Sequence, residues 1–384
     1  MKHRILLMAR ELDVGGSERQ MTEMALALDR ARFEPGIATF HAEGMRGDEL
    51  RAAGVSILRL PVRSFKSPRT LGYAWRLARY IRANRIRLVH TFDLPLTAAA
   101  IPLIRLFTPA IALASQRSHL GLVSPRLRKA LTFSERMAHG VVVNCEFLRR
   151  HLMEDAGIPG ERIHLCRNGI DLARFCRGPR DPGFRPAALP DASLVIGVVG
   201  GLRPEKGLAT LLEAFARLRQ LEPRQMEPRR LGPDLRLVLV GGGASQPDLE
   251  ARARELGIAG ACLFAPPTNQ VPEWLRHIDI FVLPSLSEAL SNSLMEAMAC
   301  GCCAVASRVG GNPELIEDGV RGLLFKAGDA ANLADALSRV ILNPELRSRL
   351  ADAGHDFLHA HFSTAAAAGR MAEIYSELIA EGRS

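Results

Sequence analysis

The feature that most constrains this chain is a rhythm that runs through it twice. Short apolar runs alternate with segments of helical period. In the first half the strand candidates are Ile5–Met8, Gly36–Phe40, Ser56–Leu60, Leu88–Thr91, Ala110–Ser115, Gly140–Val143 and Ile163–Cys166. Between them lie the helix candidates Glu18–Leu28, Leu71–Asn84, Leu96–Leu106, Pro125–Ala138 and Cys145–Ala156. Strands joined by helices pair in parallel, and a parallel sheet is covered by helices on both faces. Gly178–Ser193, rich in Pro, Arg, Gly and Ala, has no period and reads as a linker. The pattern then restarts at Leu194–Val199, a nearly continuous apolar run of the kind a strand buried on both faces requires. Further strands are expected at Leu235–Val240, Ala261–Ala265, Ile280–Leu283, Cys303–Ser307 and Gly322–Phe325. Helices are expected at Leu208–Leu218, Asp248–Leu256, Val271–His277 and Ser293–Ala299, followed by C-terminal helices. Gln220–Asp234 reads as a polar loop insert. The two halves repeat an architecture and not a sequence.

A chain of 384 residues suits two domains of this kind. With 47% hydrophobic and 24% charged residues it has the profile of a soluble globular protein. The net charge of +9 is uneven. One basic stretch holds Arg59, Arg63, Lys66, Arg69, Arg76, Arg79, Arg82, Arg85 and Arg87; another holds Arg117, Arg126, Arg128, Lys129 and Arg136. Such surfaces attract phosphates or anionic lipid. Nucleic acid is disfavoured, because the stretches carry few aromatics and no zinc-finger or RRM spacing. Leu120, Leu122, Val123, Leu127, Leu131 and Phe133 interleave with the second stretch, either as a peripheral membrane face or as core. Seven scattered cysteines point to free thiols in a reducing, cytoplasmic setting, and Cys300, Cys302 and Cys303 read as apolar filler, with no metal expected. Residues 4–9 are too short for a secretory core. The apolar run Leu94–Leu113 is interrupted by Arg105 and Pro109, which predicts a buried helix followed by a strand.

Ligands of open parallel sheets bind beyond the carboxyl ends of the strands, so the loops there carry the candidate chemistry. Gly15-Gly16-Ser17 follows the first strand; it is either an anion-binding helix start or a plain turn with Ser17 as N-cap. Gly200-Gly201-Leu202-Arg203-Pro204-Glu205-Lys206-Gly207 occupies the same place in the second half. Its two cations, Arg203 and Lys206, would neutralise a leaving diphosphate, or else stand solvated beside a helix start. Gly241-Gly242-Gly243 permits close approach of a ligand or makes a flexible turn. The most specific segment runs from Leu283 to Met298, where Glu288 in a loop and Glu296 in the next helix lie eight residues apart. Carboxylates so placed suit the neutral hydroxyls of a sugar and a ribose; solvated helix charge is the alternative.

At these residues the chain resembles the retaining GT-B glycosyltransferases of family 4, most strongly from Val195 to Phe325. Glu288 and Glu296 match that family's Glu-x7-Glu, Lys206-Gly207 its Lys-Gly, and Gly15-Gly16 its paired glycine. Asn168-Gly169-Ile170-Asp171, Glu296-Ala297-Met298-Ala299-Cys300-Gly301 and Gly310-Gly311-Asn312-Pro313-Glu314 are also similar. The resemblance implies two Rossmann-like domains facing across a cleft. The expected layout is an acceptor-side domain over 1–177, a linker over 178–193, a sugar-nucleotide domain over 194–362, and a C-terminal helix over 363–384 returning to the first domain. It implies transfer of a hexose or hexose derivative, with retention, from a nucleoside diphosphate sugar to a lipid-linked or polysaccharide acceptor. Envelope or exopolysaccharide synthesis at the inner face of the cytoplasmic membrane is the expected setting. Lys206 and Arg203 would bind the diphosphate, Glu296 the ribose, and Glu288 with the following Ala289, Leu290, Ser291 and Asn292 the sugar. Gly16 and Gly242 would line the donor, and Gly15, Asp93 and Arg117 the acceptor side. No Asp-x-Asp occurs, which agrees with chemistry needing no metal or other cofactor. Two positions depart from the family: Gly201 stands where an Arg is usual, and Phe92 where the second His of a His-x-His is usual, leaving His90 or Asp93 to serve; the alternatives are a satisfied strand-end histidine for His90 and a solvated basic residue for Arg117. Those departures motivate two alternatives, a non-catalytic sugar-nucleotide binder and an epimerase of the same fold.

Overall fold

The computed structural model describes residues 2–13, 15–62, 67, 69–118, 123–181, 183–184, 189, 194–221 and 235–382. Arg63, Lys66, Leu120 and Leu122, most of the expected linker and nearly all of the expected insert lie outside the described residues. The chain divides into two compact units, one of Met1–Gly169 with Thr364–Ser384, the other of Ile170–Ser363. The first division therefore falls at Gly169/Ile170, ahead of the expected boundary at 177.

The first unit contains β1 (His3–Met8), α1 (Gly16–Ala27), β2 (Phe33–Thr39), α2 (Met45–Ala52), β3 (Ser56–Arg59), α3 (Arg69–Ala83), β4 (Leu88–Thr91), α4 (Leu94–Phe107), β5 (Ile111–Gln116), α5 (Pro125–Met137), β6 (Gly140–Val143), α6 (Glu146–Glu154) and β7 (Ile163–Leu165). The second holds β8 (Leu194–Val199), α7 (Leu208–Leu221), β9 (Leu235–Val240), α8 (Gln246–Glu255), β10 (Cys262–Ala265), α9 (Val271–His277), β11 (Ile280–Leu283), α10 (Asn292–Ala299), β12 (Cys303–Ser307), α11 (Asn312–Leu315), β13 (Leu323–Phe325), α12 (Ala330–Leu342) and α13 (Pro344–His361). The last helix, α14 (Thr364–Glu381), belongs to the first unit.

Among the described residues the first sheet has the order β3-β2-β1-β4-β5-β6-β7, and the second β10-β9-β8-β11-β12-β13. Every pairing is parallel. Helices on both faces explain why Ile5, Leu6, Leu7 and Met8 of β1 are all buried, where a one-sided sheet would alternate. In the first core, Ile5, Leu7 and Phe33 pack with Met371, Ile374 and Tyr375 of α14. In the second, Ile196, Leu237, Ile280 and Val305 pack against Leu211, Phe215, Leu333 and Leu337 of the flanking helices.

Helix starts follow local chemistry. The carboxylate of Asp93 accepts the Leu96 N–H at 3.0 Å to cap α4. The apolar stretch around it resolves into α4 and β5, and among the described residues no helix is long and apolar enough to cross a membrane. The cap of α1 is Gly15, without a side-chain hydrogen bond, so Ser17 is inside the helix and is not its N-cap. None of the seven cysteines forms a disulfide. Burial pushes the Cys300 and Cys303 thiols up to about 12, which leaves them inert packing groups at neutral pH.

Candidate active site

In each sheet the strand order reverses beside its first strand, between β1 and β4 in one unit and between β8 and β11 in the other. Loops diverge there, and the crevice at that end is where such sheets hold ligands.

In the second unit both loops carry charge. After β8 the chain makes a 3-10 turn, Pro204–Lys206, before α7 begins, so Lys206 projects from the turn and not from the helix. After β11 comes Glu288. Its Oε1 accepts hydrogen bonds from Lys206 Nζ, forming an ion pair, and from Ser285 Oγ at 2.8 Å. The Lys206 and Glu288 side chains are only 20% and 11% exposed. Partial desolvation strengthens the attraction and makes the loss of either partner costly.

The backbone holds these two loops together. Leu286 N–H donates to the Glu205 carbonyl at 2.8 Å. Gly207 has φ +62°, and a Cβ there would lie 2.2 Å from the Pro284 carbonyl oxygen. Only glycine allows that approach. On the far side Gly310, at φ +54°, passes so close to the Glu288 backbone that a Cβ would sit 2.0 Å from its carbonyl oxygen. Gly311 N–H donates to the Ala289 carbonyl at 2.7 Å. Beneath lies a buried relay: Ser307 Oγ donates to the Ser285 carbonyl at 2.6 Å, and Asn312 Nδ2 to the Ser307 carbonyl at 2.9 Å. Ser285, Ser307 and Asn312 are the positioning residues that sequence reasoning missed. The Ser-x-x-Glu spacing of Ser285 and Glu288 was a signal that could have found the first.

Apart from Gly16, the other expected donor residues lie on the same unit. Ala289, Leu290 and Ser291 are buried, and Ser291 Oγ caps α10 by accepting the Leu294 N–H at 3.4 Å, with Asn292 as the first helical residue. Glu296 lies one turn further into α10 and is 5% exposed, so it is not a solvated surface charge. Arg203 is ion-paired to Glu205 at 3.0 Å and its side chain is 60% exposed. The Gly242 carbonyl accepts the Leu202 N–H at 2.9 Å, and Ser245 N–H donates to the Leu202 carbonyl. The triglycine loop is thereby fastened to the Gly200-Gly201 loop, which gives those glycines a structural reason apart from any ligand.

In the first unit the expected residues separate. Gly15 and Gly16 are exposed at the start of α1. Burial raises the pKa of nearby Glu18, and the Asp93 and Glu11 charges add to that rise. Asp93 pairs with Arg10 at 2.7 Å while capping α4. His90 is fully buried, with Nδ1 2.8 Å from the Tyr375 hydroxyl and Nε2 2.9 Å from Ser115 Oγ. Burial, with the Arg117 charge behind it, lowers its pKa well below the usual value and keeps the ring neutral. Both nitrogens are thus used within the core, as in the satisfied strand-end histidine that the sequence left open beside a catalytic one. Phe92 is 2% exposed and its ring lies tilted against that of His90, with centroids 4.2 Å apart. Arg117 lies over the Phe92 ring at 5.0 Å and donates to Asn168 Oδ1 at 2.7 Å, so it is not a freely solvated cation. Gln20 exchanges two hydrogen bonds with the backbone of Gly169, at 3.0 and 3.1 Å. This explains the Asn168-Gly169 pair as the anchor of the strand-end loop. Among the described residues no group of three or more His, Cys, Asp or Glu is placed to hold a metal.

Comparison with known proteins assigns the two halves separately. Residues 14–174 match the family model described as Glycosyltransferase Family 4, and residues 180–357 the one described as Glycosyl transferases group 1. The chain is 37% identical over 198 residues to a protein of Stackebrandtia nassauensis named D-inositol 3-phosphate glycosyltransferase, covering 50% of this chain and 43% of the relative. It is 33% identical over 256 residues to D-inositol 3-phosphate glycosyltransferase 2 of Catenulispora acidiphila, covering 64% and 58%. The chain spans about half the length of these curated relatives. In fold it is similar to Anabaena Alr3699/HepE, solved in complex with UDP and glucose, with a TM-score of 0.83, 20% identity, and coverage of 98% of this chain and 100% of the other.

Proposed function

We propose that this chain, whose two halves carry the two domains of the family 4 GT-B glycosyltransferases, transfers a hexose or hexose derivative from a nucleoside diphosphate sugar to an acceptor. The observation that carries the reading is the meeting of Lys206 and Glu288 beyond the strand ends where β8 and β11 part. A diphosphate is the ligand that such a lysine recognises by charge, and a hexose hydroxyl is what the released carboxylate accepts. As the bond from the anomeric carbon to the β-phosphate oxygen breaks, negative charge grows on the leaving diphosphate. Lys206, with Arg203 beside it, offsets that charge, so the reaction needs no metal. Glu296, buried on α10, would take the ribose hydroxyls. Retention at the anomeric centre follows the family pattern.

The first unit would receive the acceptor, with Gly15, Asp93 and Arg117 nearest. Its basic surface favours an anionic one, a lipid-linked or polysaccharide precursor at the inner face of a membrane. The curated relatives carry the name of a phosphorylated inositol, which favours a second reading with a small phosphorylated acceptor. Incubation with radiolabelled UDP-, GDP- and ADP-sugars, in one arm with membranes and in the other with D-inositol 3-phosphate, tests both. Label in the lipid or polymer fraction supports the first reading, and label on the inositol phosphate the second. Binding of a sugar nucleotide without transfer in either arm would replace both with a binding protein, and a new free nucleotide sugar would indicate an epimerase.

A further inference from the structure

The first unit carries an apolar and basic face that the transfer reaction does not use. It lies on α3. Leu71 and Trp75 stand one turn apart and are 75% and 64% exposed, two of the three most exposed large hydrophobic side chains among the described residues, with Leu106 of α4 at 67%. Arg79 continues the same stripe at the next turn, its guanidinium 5.4 Å from the Trp75 ring centre, and Arg82 follows nearly one turn on. Arg76, also exposed, flanks the stripe. The opposite face is ordinary core, with Leu77, Ala78 and Ile81 buried. From residue 69 to residue 87 the sequence holds six arginines and no acid.

We propose that this face of α3 docks the protein on an anionic lipid surface. The charge pattern selects the occupant. A protein partner surface mixes acids with apolar groups, and nothing on α3 pairs an acid of its own with a partner's base. A sheet of lipid phosphates is uniformly negative and complements an acid-free arginine row, while exposed Trp and Leu enter the headgroup boundary beside it. Arginine stems cover apolar surface and leave their heads at the phosphates. The α5 series expected from the sequence offers less. Leu131 is fully buried, Val123 and Leu127 are half-buried, and only Phe133 of the described members is exposed. The inference deepens the reading of a membrane-borne acceptor and rests on it for its purpose, though the docking itself needs neither donor nor acceptor.

The test uses the full chain and vesicles without any substrate. Trp274 is 8% exposed, so a change in tryptophan emission on vesicle addition reports Trp75. Vesicles of phosphatidylglycerol and phosphatidylcholine in equal parts should shift the emission to the blue and carry the protein on flotation. Pure phosphatidylcholine should do neither, and 0.5 M NaCl should release the protein. Arg76→Glu with Arg79→Glu should weaken binding by about tenfold or more. Leu71→Ser with Trp75→Ser should abolish flotation with an unchanged melting temperature, since both side chains are exposed. Equal binding by these variants, or loss of binding by Phe133→Ser with Arg128→Glu instead, would overturn the assignment to α3. Equal binding to neutral vesicles, or none to anionic ones, would overturn lipid docking. Transfer to a water-dispersed acceptor, measured on the same samples, is independent of either result, so failure of docking and failure of the proposed activity remain distinguishable.

Discussion

At the scale of single residues, burial and pairing decide which groups can work. Lys206 and Glu288 hold each other at a half-open crevice, whereas His90 spends both nitrogens on buried hydroxyls. Lys206→Ala should lower the affinity for a nucleoside diphosphate by about a hundredfold in calorimetry, because it removes the charged donor that would meet the diphosphate. Tyr375→Phe should act on stability instead. It deprives His90 of its Nδ1 partner, and chemical denaturation should show a loss of about 1–3 kcal/mol. Glu135 gives a pH dependence. It is fully buried, neither carboxyl oxygen has a hydrogen-bond partner among the described residues, and burial raises its pKa to about 8. The folded chain therefore keeps a proton that the unfolded chain gives up above the ordinary value of 4.5. Its contribution to stability is full below that value and is lost as pH rises to about 8. Urea midpoints should fall across that window in the wild-type protein and fall less in Glu135→Gln.

At the scale of elements, the two loops beyond β8 and β11 are rigid because glycine lets their backbones touch. Gly207→Ala would need both a left-handed backbone and a Cβ against the Pro284 carbonyl. It should cost about 1–3 kcal/mol and lower kcat/KM together with donor affinity, read by steady-state kinetics and melting. The regular elements were legible because strands buried on both faces write unbroken apolar runs. Leu88–Thr91, Leu194–Val199, Leu235–Val240 and Ile280–Leu283 have the same bounds in sequence and structure. Helix α2 was not legible. MRGDELRA buries Leu50 with Arg46 and Gly47, so it shows no apolar period. Helix α11 is four residues long and shows none either. At the site, the carboxylates and Lys206 stood out by spacing, but the relay through Ser285, Ser307 and Asn312 joins residues distant in sequence. The surroundings of His90 were not legible, because a histidine at a strand end looks alike in a core and in a site; its partners Ser115 and Tyr375 lie 25 and 285 residues away.

At the scale of the whole molecule, the chain leaves its first unit after Gly169 and re-enters it at Thr364. Re-entry is structural, since Met371, Ile374 and Tyr375 of α14 are fully buried in the first core. Removing residues 364–382 should expose that core and abolish the cooperative unfolding of the first unit, while calorimetry still finds a transition from the second. Donor binding belongs to the second unit in this account, and the most direct test of it is a titration of UDP, GDP and ADP and their glucose conjugates into the wild-type protein and into Lys206→Ala. The account predicts that at least one diphosphate binds the wild-type protein and that the lysine variant, which melts lower for want of the Glu288 ion pair, loses most of that affinity at a temperature where it is still folded. A variant that binds the same nucleotide as tightly as the wild-type protein would contradict it.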